Sequence, residues 1–141
     1  MTDIRRFVDS NVLIYAFDKT SGEKRKKALA LLNDLWMDRS GCISIQVMQE
    51  FYAATVRKSI IDREKAMQIL HQYLDWSIHS PKPEDVIGAI IIQNRYQISF
   101  WDAMILNSAM EMDCATVYSE DLNDGQFYGS VQIVNPFRQT A

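Results

Sequence analysis

Four acidic residues stand in segments that are otherwise apolar or structurally constrained. Asp9 interrupts the hydrophobic run FVDSNVLIYAF, Glu50 sits in QVMQEFY, Asp102 in SFWDAMIL and Asp121 in VYSEDLNDG. If the chain gathers them, the carboxylates cannot all stay ionised without compensation, because neighbouring like charges disfavour ionisation. A hard divalent cation with oxygen ligands supplies that compensation. Mg2+ takes one or two carboxylates, retained waters and substrate phosphates. Two such ions can stabilise both the attacking and the leaving oxygen of a phosphodiester displacement. The nucleophile is then an ion-activated water, and no catalytic histidine is needed. The chain meets that condition: its only histidines, His71 and His79, lie outside all four acidic segments.

Each acid also has an ordinary explanation. Ser99-x-x-Asp102 is a capping-box pattern. Glu50 suits a solvated helix face, and Asp121 suits a turn. Asp9 is a helix-cap candidate, although Ser10 and Asn11 compete for that role.

The elements that must position these acids alternate. Strands are expected over IRRFV (4–8), CISI (42–45), CATVYS and VQIV (131–134). Helices are expected over NVLIYAF, EKRKKALALLNDLWMDR, QVMQEFYAATVRK, DREKAMQILHQYLDW, the segment opening at SPKPED, and SFWDAMILNSAMEM. In the second helix Ala28, Leu31, Leu32 and Leu35 share a face. In the third, Ile45, Met48, Tyr52 and Thr55 or Val56 form an apolar stripe. Strands separated by helices imply an α/β fold, a mostly parallel sheet with helices on both faces. The functional crevice of such a sheet lies beyond the carboxyl ends of its strands. Asp9 and Asp121 follow strands, and Glu50 and Asp102 lie near helix N-termini, so all four can reach one crevice.

A chain of 141 residues with 48% hydrophobic and 23% charged residues fits one globular domain over 1–141. Its core needs neither disulfides nor a structural metal. The longest apolar run, Val86 to Ile92, is too short to span a bilayer. The opening MTDIRRFVDSN lacks a charged-then-apolar leader. A cytoplasmic chain with no membrane contact is therefore expected. Cys42 and Cys114 read as two buried small hydrophobes.

The net charge of −3 argues against a nucleic-acid partner. Setting the four acids aside, however, leaves 14 acids against 15 Lys and Arg. Candidate contacts to a phosphate backbone are Arg5, Arg6, the run from Lys24 to Lys27, Arg57, Lys58, Arg63 and Lys65. The run KRKK points around most of a helix, so its members cannot all touch one ligand. Tyr15, Phe17, Phe51, Tyr52 and Trp101 lie near the acids and read mainly as core, with none assigned to substrate.

In their order and intervals, FVDSNVLIYAF, QVMQEFY, SFWDAMIL and VYSEDLNDG resemble a PIN domain. Among PIN domains the chain is most similar to the VapC-type toxins of bacterial toxin–antitoxin pairs. The resemblance covers essentially the whole chain. It implies a PIN-like three-layer sandwich and an endoribonuclease dependent on Mg2+ or Mn2+. Asp9, Glu50, Asp102 and Asp121 fall on the family's acidic metal-site positions. Ser10 and Asn11 match residues that orient a carboxylate or water there, and Asp124 matches a fifth acid of some relatives. Glu120 is expected to diverge from Asp121. The resemblance further implies an RNA substrate, a homodimer and a small antitoxin that blocks the site.

Other readings compete. A phosphatase or phosphoreceiver would use Asp9 as covalent nucleophile, but DSN lacks the second aspartate that haloacid-dehalogenase phosphatases place two residues on. A non-catalytic PIN-like interaction module conflicts with the complete set of acids. A PIN nuclease of RNA maturation, outside toxin–antitoxin pairs, remains the nearest alternative.

Overall fold

The computed structural model describes residues 4–138, so the outermost residues of the expected 1–141 domain lie outside the described ones. The elements run β1 (Arg6–Val8), α1 (Ser10–Phe17), α2 (Glu23–Asp38), β2 (Gly41–Ser44), α3 (Ile45–Arg57), α4 (Arg63–Tyr73) and β3 (Ser77–His79). They continue with α5 (Pro83–Tyr96), α6 (Phe100–Glu111), β4 (Thr116–Tyr118), β5 (Phe127–Tyr128) and β6 (Val131–Val134).

One sheet collects the strands in the order β3-β2-β1-β4-β6-β5. Every neighbouring pair is parallel except β5 with β6. Phe7 lies opposite Cys42 on one side and Val117 on the other. The chain thus winds outward from β1 to β2 and β3, then returns to the far side of β1 at β4. The winding reverses between β1 and β4, and that switch point is where such sheets open a crevice at their carboxyl edge.

Local signals set the helix starts. Ser44 accepts from Val47 N at 3.3 Å, Asp62 from Lys65 N at 2.8 Å, and Ser99 from Asp102 N at 3.1 Å. Each satisfies an N–H with no partner inside its helix. Pro83 opens α5, and Asp85 returns a bond to Lys82 N at 2.7 Å.

Two helical groups flank the sheet. In one, α1 packs on α2 and α3, and α3 on α4. In the other, α5 lies on α6, which touches β2, β4 and β6. Residues Ala103 to Ala109 of α6 are all buried, as expected of a helix covered on one side by the sheet and on the other by α5. Gly88 permits the close approach: a Cβ there would lie 2.7 Å from Asn107 Oδ1. Phe7, Val8, Leu13, Leu35, Ile43 and Phe51 are fully buried. Removing each such side chain from water stabilises the fold by about 1.5–3 kcal/mol.

The sheet has two strands beyond the four expected. The expected helix through Trp76 stops at Tyr73; Trp76 turns in against Trp36 and Tyr73, and Ser77–His79 becomes edge strand β3. The two-residue β5 forms a short antiparallel ribbon with β6. Strand β1 starts at Arg6, leaving Ile4 exposed. The stripe expected on α2 is buried at Ala28, Leu32 and Leu35 and partly at Leu31. The α3 stripe is not the core face. Ile45 and Tyr52 are exposed and Met48 only partly buried; of the expected stripe Thr55 is buried, and it shares the core face with Val47 and Phe51. Both cysteines are free and buried. No helix among the described residues is long and apolar enough to cross a membrane.

Candidate active site

Strand β1 ends directly on the site. Asp9 N donates to Tyr118 O at 2.9 Å, carrying the β1–β4 pairing one residue further. Asp9 then caps α1, its Oδ1 accepting from Ser10 N at 2.7 Å. Ser10 and Asn11, expected to compete for the cap, are instead the first two helical residues. Their side chains are freed to reach other acids.

Ser10 Oγ donates to Glu50 Oε1 at 3.1 Å, tying α1 to the second turn of α3. Asn11 Nδ2 lies 3.1 Å from Asp121 Oδ2 and 3.4 Å from Asp9 Oδ2, so one amide spans both carboxylates. Its Oδ1 accepts from Glu120 N at 3.3 Å, which fixes the loop after β4.

Burial decides the electrostatics. Asp9 is only 3% exposed, surrounded by the apolar ends of β1 and α1. Burial pushes its carboxyl up to about 7; the Ser119 and Ser10 hydrogen bonds pull it down, and the charges of Asp121 and Glu50 push it up. Asp102 is also raised, first by burial and then by Asp121, against the Ser99 bond. The four acids are therefore brought into one electrostatically linked group: Asp9 responds to Asp121 and Glu50, and Asp102 to Asp121. Asp102 is also the third residue after the Ser99 cap, and its N donates to Ser99 Oγ at 3.1 Å.

Two neighbours of the acids escaped the sequence reading. Ser119 is fully buried and donates to Asp9 Oδ2 at 2.8 Å, while accepting from Asp121 N at 3.1 Å. Gln46 Nε2 reaches Glu50 Oε2 at 3.3 Å and Trp101 O at 3.2 Å, joining α3 to the start of α6. Gln46 stands four residues before Glu50, the spacing that puts side chains on one helix face, and that signal was legible.

Asp124 is held elsewhere. Its oxygens accept from Asn135 N at 2.7 Å and face Arg138 Nη1 at 3.3 Å. Glu120 diverges from Asp121 as expected, accepting from Tyr15 Oη at 2.7 Å and pairing with Lys24 at 2.6 Å. Members of the KRKK run take different partners: Lys24 meets Glu120, Arg25 the carbonyl of Ala16, and Lys26 meets Glu23.

Two observations bear on a divalent cation. Asp9 is buried, and the charges of Asp121 and Glu50 both act on it. Gln46 Oε1 is buried with no hydrogen-bond partner, an oxygen donor left over beside Glu50. Both fit a hydrated hard cation. Direct ligation by many side chains does not fit, because no three His, Cys, Asp or Glu among the described residues stand close enough to hold an ion together.

A mostly parallel α/β sheet with carboxylates gathered at its switch point defines a class of domain built around an acidic crevice. The chain belongs to the PIN domain family, whose pattern matches residues 6–127. No curated protein sequence matches it. Solved structures with the same fold include a toxin–antitoxin complex from Klebsiella pneumoniae, at 19% identity and a TM-score of 0.72, covering 95% of this chain and 99% of that one. VapC20 of Mycobacterium tuberculosis, a sarcin–ricin loop cleaving toxin, is similar at 15% identity and a TM-score of 0.66, covering 82% and 89%. FitAcB of Neisseria gonorrhoeae is similar at 18% identity and a TM-score of 0.62, covering 95% and 99%.

Proposed function

We propose that this chain is an endoribonuclease dependent on Mg2+ or Mn2+, and the toxin of a toxin–antitoxin pair. The observation that carries the reading is the state of Asp9: buried, raised to about 7, and linked through Asn11 and Ser10 to two further acids. A buried carboxylate with two further acids beside it is a place where a divalent cation would offset the crowded charge. Asp9, Glu50, Asp102 and Asp121 are the groups that would hold it, directly or through water. When bound, the ion would supply charge compensation and polarise the phosphodiester and the attacking water. The chain's own residues do the positioning. Ser10 orients Glu50, Asn11 spaces Asp9 from Asp121, and Ser119 fixes the free oxygen of Asp9.

Protein partners belong to the same reading. A groove of about 660 Å3 lies between α3 and α4, lined by apolar side chains including Ile45, Met48, Tyr52, Leu70 and Leu74. It supports docking of an antitoxin. The outer face of α5, with Val86, Ile87, Ile90 and Ile91 exposed, supports a homodimer. One similar structure is a toxin–antitoxin complex and another a sarcin–ricin loop cleaving toxin, which favours this setting over RNA maturation.

Incubation of the purified, partner-free protein with cellular RNA and Mg2+ or Mn2+ tests the activity. Cleavage is expected, with loss in Asp9→Asn and Asp102→Asn. Undiminished cleavage by either variant overturns the site. A non-catalytic PIN-like module is the second reading, favoured by the absence of a three-ligand cluster among the described residues. It requires that the wild-type protein bind no divalent ion and cut no RNA.

A further inference from the structure

Trp101 immediately precedes Asp102, and its side chain stands in solvent. The residue is 63% exposed, whereas Trp76 is buried and Trp36 packs with Trp76 and Tyr73. Single exposed apolar residues are common and by themselves mean nothing. Three observations set this one apart.

The first is position. Trp101 lies in the first turn of α6, beside an acid of the candidate site. The second is rigidity. Its carbonyl accepts from Gln46 Nε2, the same nitrogen that reaches Glu50, so its backbone is fixed to the acid-bearing helix α3. Phe100 meets the indole edge-on at a centroid distance of 5.1 Å. The ring is therefore braced before any ligand arrives. The third is chemistry. The side chains bonded to the acids, those of Ser10, Asn11, Gln46 and Ser119, are hydroxyls and amides, which address a phosphate and its cation but offer no apolar plane.

We propose that Trp101 is a base-stacking contact that seats one unpaired nucleobase beside the scissile phosphate of a single-stranded RNA segment. The proposal rests on the nuclease reading of the acid group. An indole face stacks on any base, so the contact selects an unpaired, splayed base rather than a particular letter. Paired bases hide their faces in the helix. Trp101 would thus turn an acidic crevice that recognises only backbone into one that prefers loops, bulges and single strands. Its reach is one nucleotide, and base identity must be read elsewhere.

Binding is measured with Asp9→Asn protein, which is expected not to cleave, using a short oligouridylate in Mg2+. Tryptophan fluorescence should be quenched on titration, because Trp101 is the exposed indole. Trp101→Ala is expected to weaken binding roughly 5- to 150-fold, and Trp101→Phe to recover most of the loss. A scan of single abasic sites along the oligonucleotide gives a readout that a merely structural role would not move. One abasic site should weaken the Trp-containing protein and leave Trp101→Ala unaffected. In otherwise unsubstituted protein, Trp101→Ala should raise the KM for a single-stranded substrate more than it lowers kcat.

Equal affinities for Trp and Ala proteins, in a preparation whose wild type cleaves RNA, overturn the proposal and leave the nuclease reading standing. So does a Trp101→Ala effect confined to sedimentation, which would assign the ring to a protein interface. A wild-type protein that neither binds nor cuts RNA overturns both.

Discussion

Ser119 donates to Asp9 across 110 residues of chain, at 2.8 Å and without access to water. The bond joins the last residue before one acid-bearing loop to the first acid. Hydrogen bonds to charged groups contribute about 1.5–3 kcal/mol, more than neutral ones. Ser119→Ala is therefore expected to cost about that much above pH 7, where Asp9 is ionised, and less at pH 4. Urea unfolding at the two pH values measures the difference. An equal loss at both would mean that the hydroxyl serves packing rather than the carboxylate.

The raised carboxyl of Asp9 makes stability depend on pH in a direction opposite to that of a salt-bridged aspartate. Below its unfolded value of 3.8, both states hold the proton and nothing is lost. Between there and about 7, the folded protein keeps a proton that the unfolded chain releases, so stability falls as pH rises. Above about 7 the loss is complete and constant. Metal-free protein should show this decline in urea midpoint between pH 4 and pH 7, and Asp9→Asn should flatten much of it. Asp102, raised as well, leaves a smaller slope of the same sign.

Divalent cations should reverse that loss. A ligand that binds only the folded state adds about 2.7 kcal/mol at a hundred times its Kd. Mg2+ or Mn2+ should accordingly raise the Tm at pH 8, while Ca2+-free, EDTA-treated protein stays at its lower value. Asp9→Asn, already relieved of its charge, should start higher and respond little. A response of equal size in both proteins would place the cation elsewhere.

Gln46→Ala removes the one side chain that holds both Glu50 and the Trp101 carbonyl. Supports of this kind typically matter by about 10- to 100-fold in activity or metal affinity. The variant is expected to lose cleavage in that range while keeping its circular dichroism. Gln46→Glu, which keeps the length but repels Glu50, should do no better.

At the opposite end of β2 the expectation is different. A Cβ on Gly41 would meet three ring carbons of Trp76 at 2.6–2.7 Å. Gly41→Ala should therefore destabilise by about 1–3 kcal/mol, the usual cost of overpacking. Cleavage per folded molecule should not change, because the acids lie beyond the other end of the strand. Thermal melts paired with initial rates separate the two effects.

The candidate acids were visible for different reasons: Asp9, Glu50 and Asp102 interrupt largely apolar stretches, whereas Asp121 was marked only by its place after a strand. The parallel core of the sheet was legible for a related reason: IRRFV, CISI, CATVYS and VQIV are short apolar runs between helical periods. Strand β3 was not. SIH has three residues and follows a helical pattern without a break, so only tertiary packing of Trp76 ends the helix there. The α3 stripe failed for another reason. Periodicity finds an apolar face but cannot say whether the sheet or the solvent takes it, and here the sheet takes the face holding Val47 and Phe51. Helix ends were obscured too, since Arg39, Ser59, Gln97 and Asp113 adopt the left-handed conformation without glycine to announce it. Trp101 was read among core aromatics because sequence spacing carries no sign of which ring the fold leaves outside.

The position of β1 between β2 and β4 has a consequence for synthesis. Its second neighbour arrives only at Thr116–Tyr118, and Ser119 and Asp121 follow. A chain emerging from the ribosome therefore carries Asp9 on a half-paired strand until Thr116–Tyr118 have been made. No N-terminal fragment that stops before residue 121 contains the whole acid group, however well its helices have folded. The crevice is thus built backwards along the chain: its first acid waits on a strand for the partners that close around it, and the site comes into being only once Asp121 has been made.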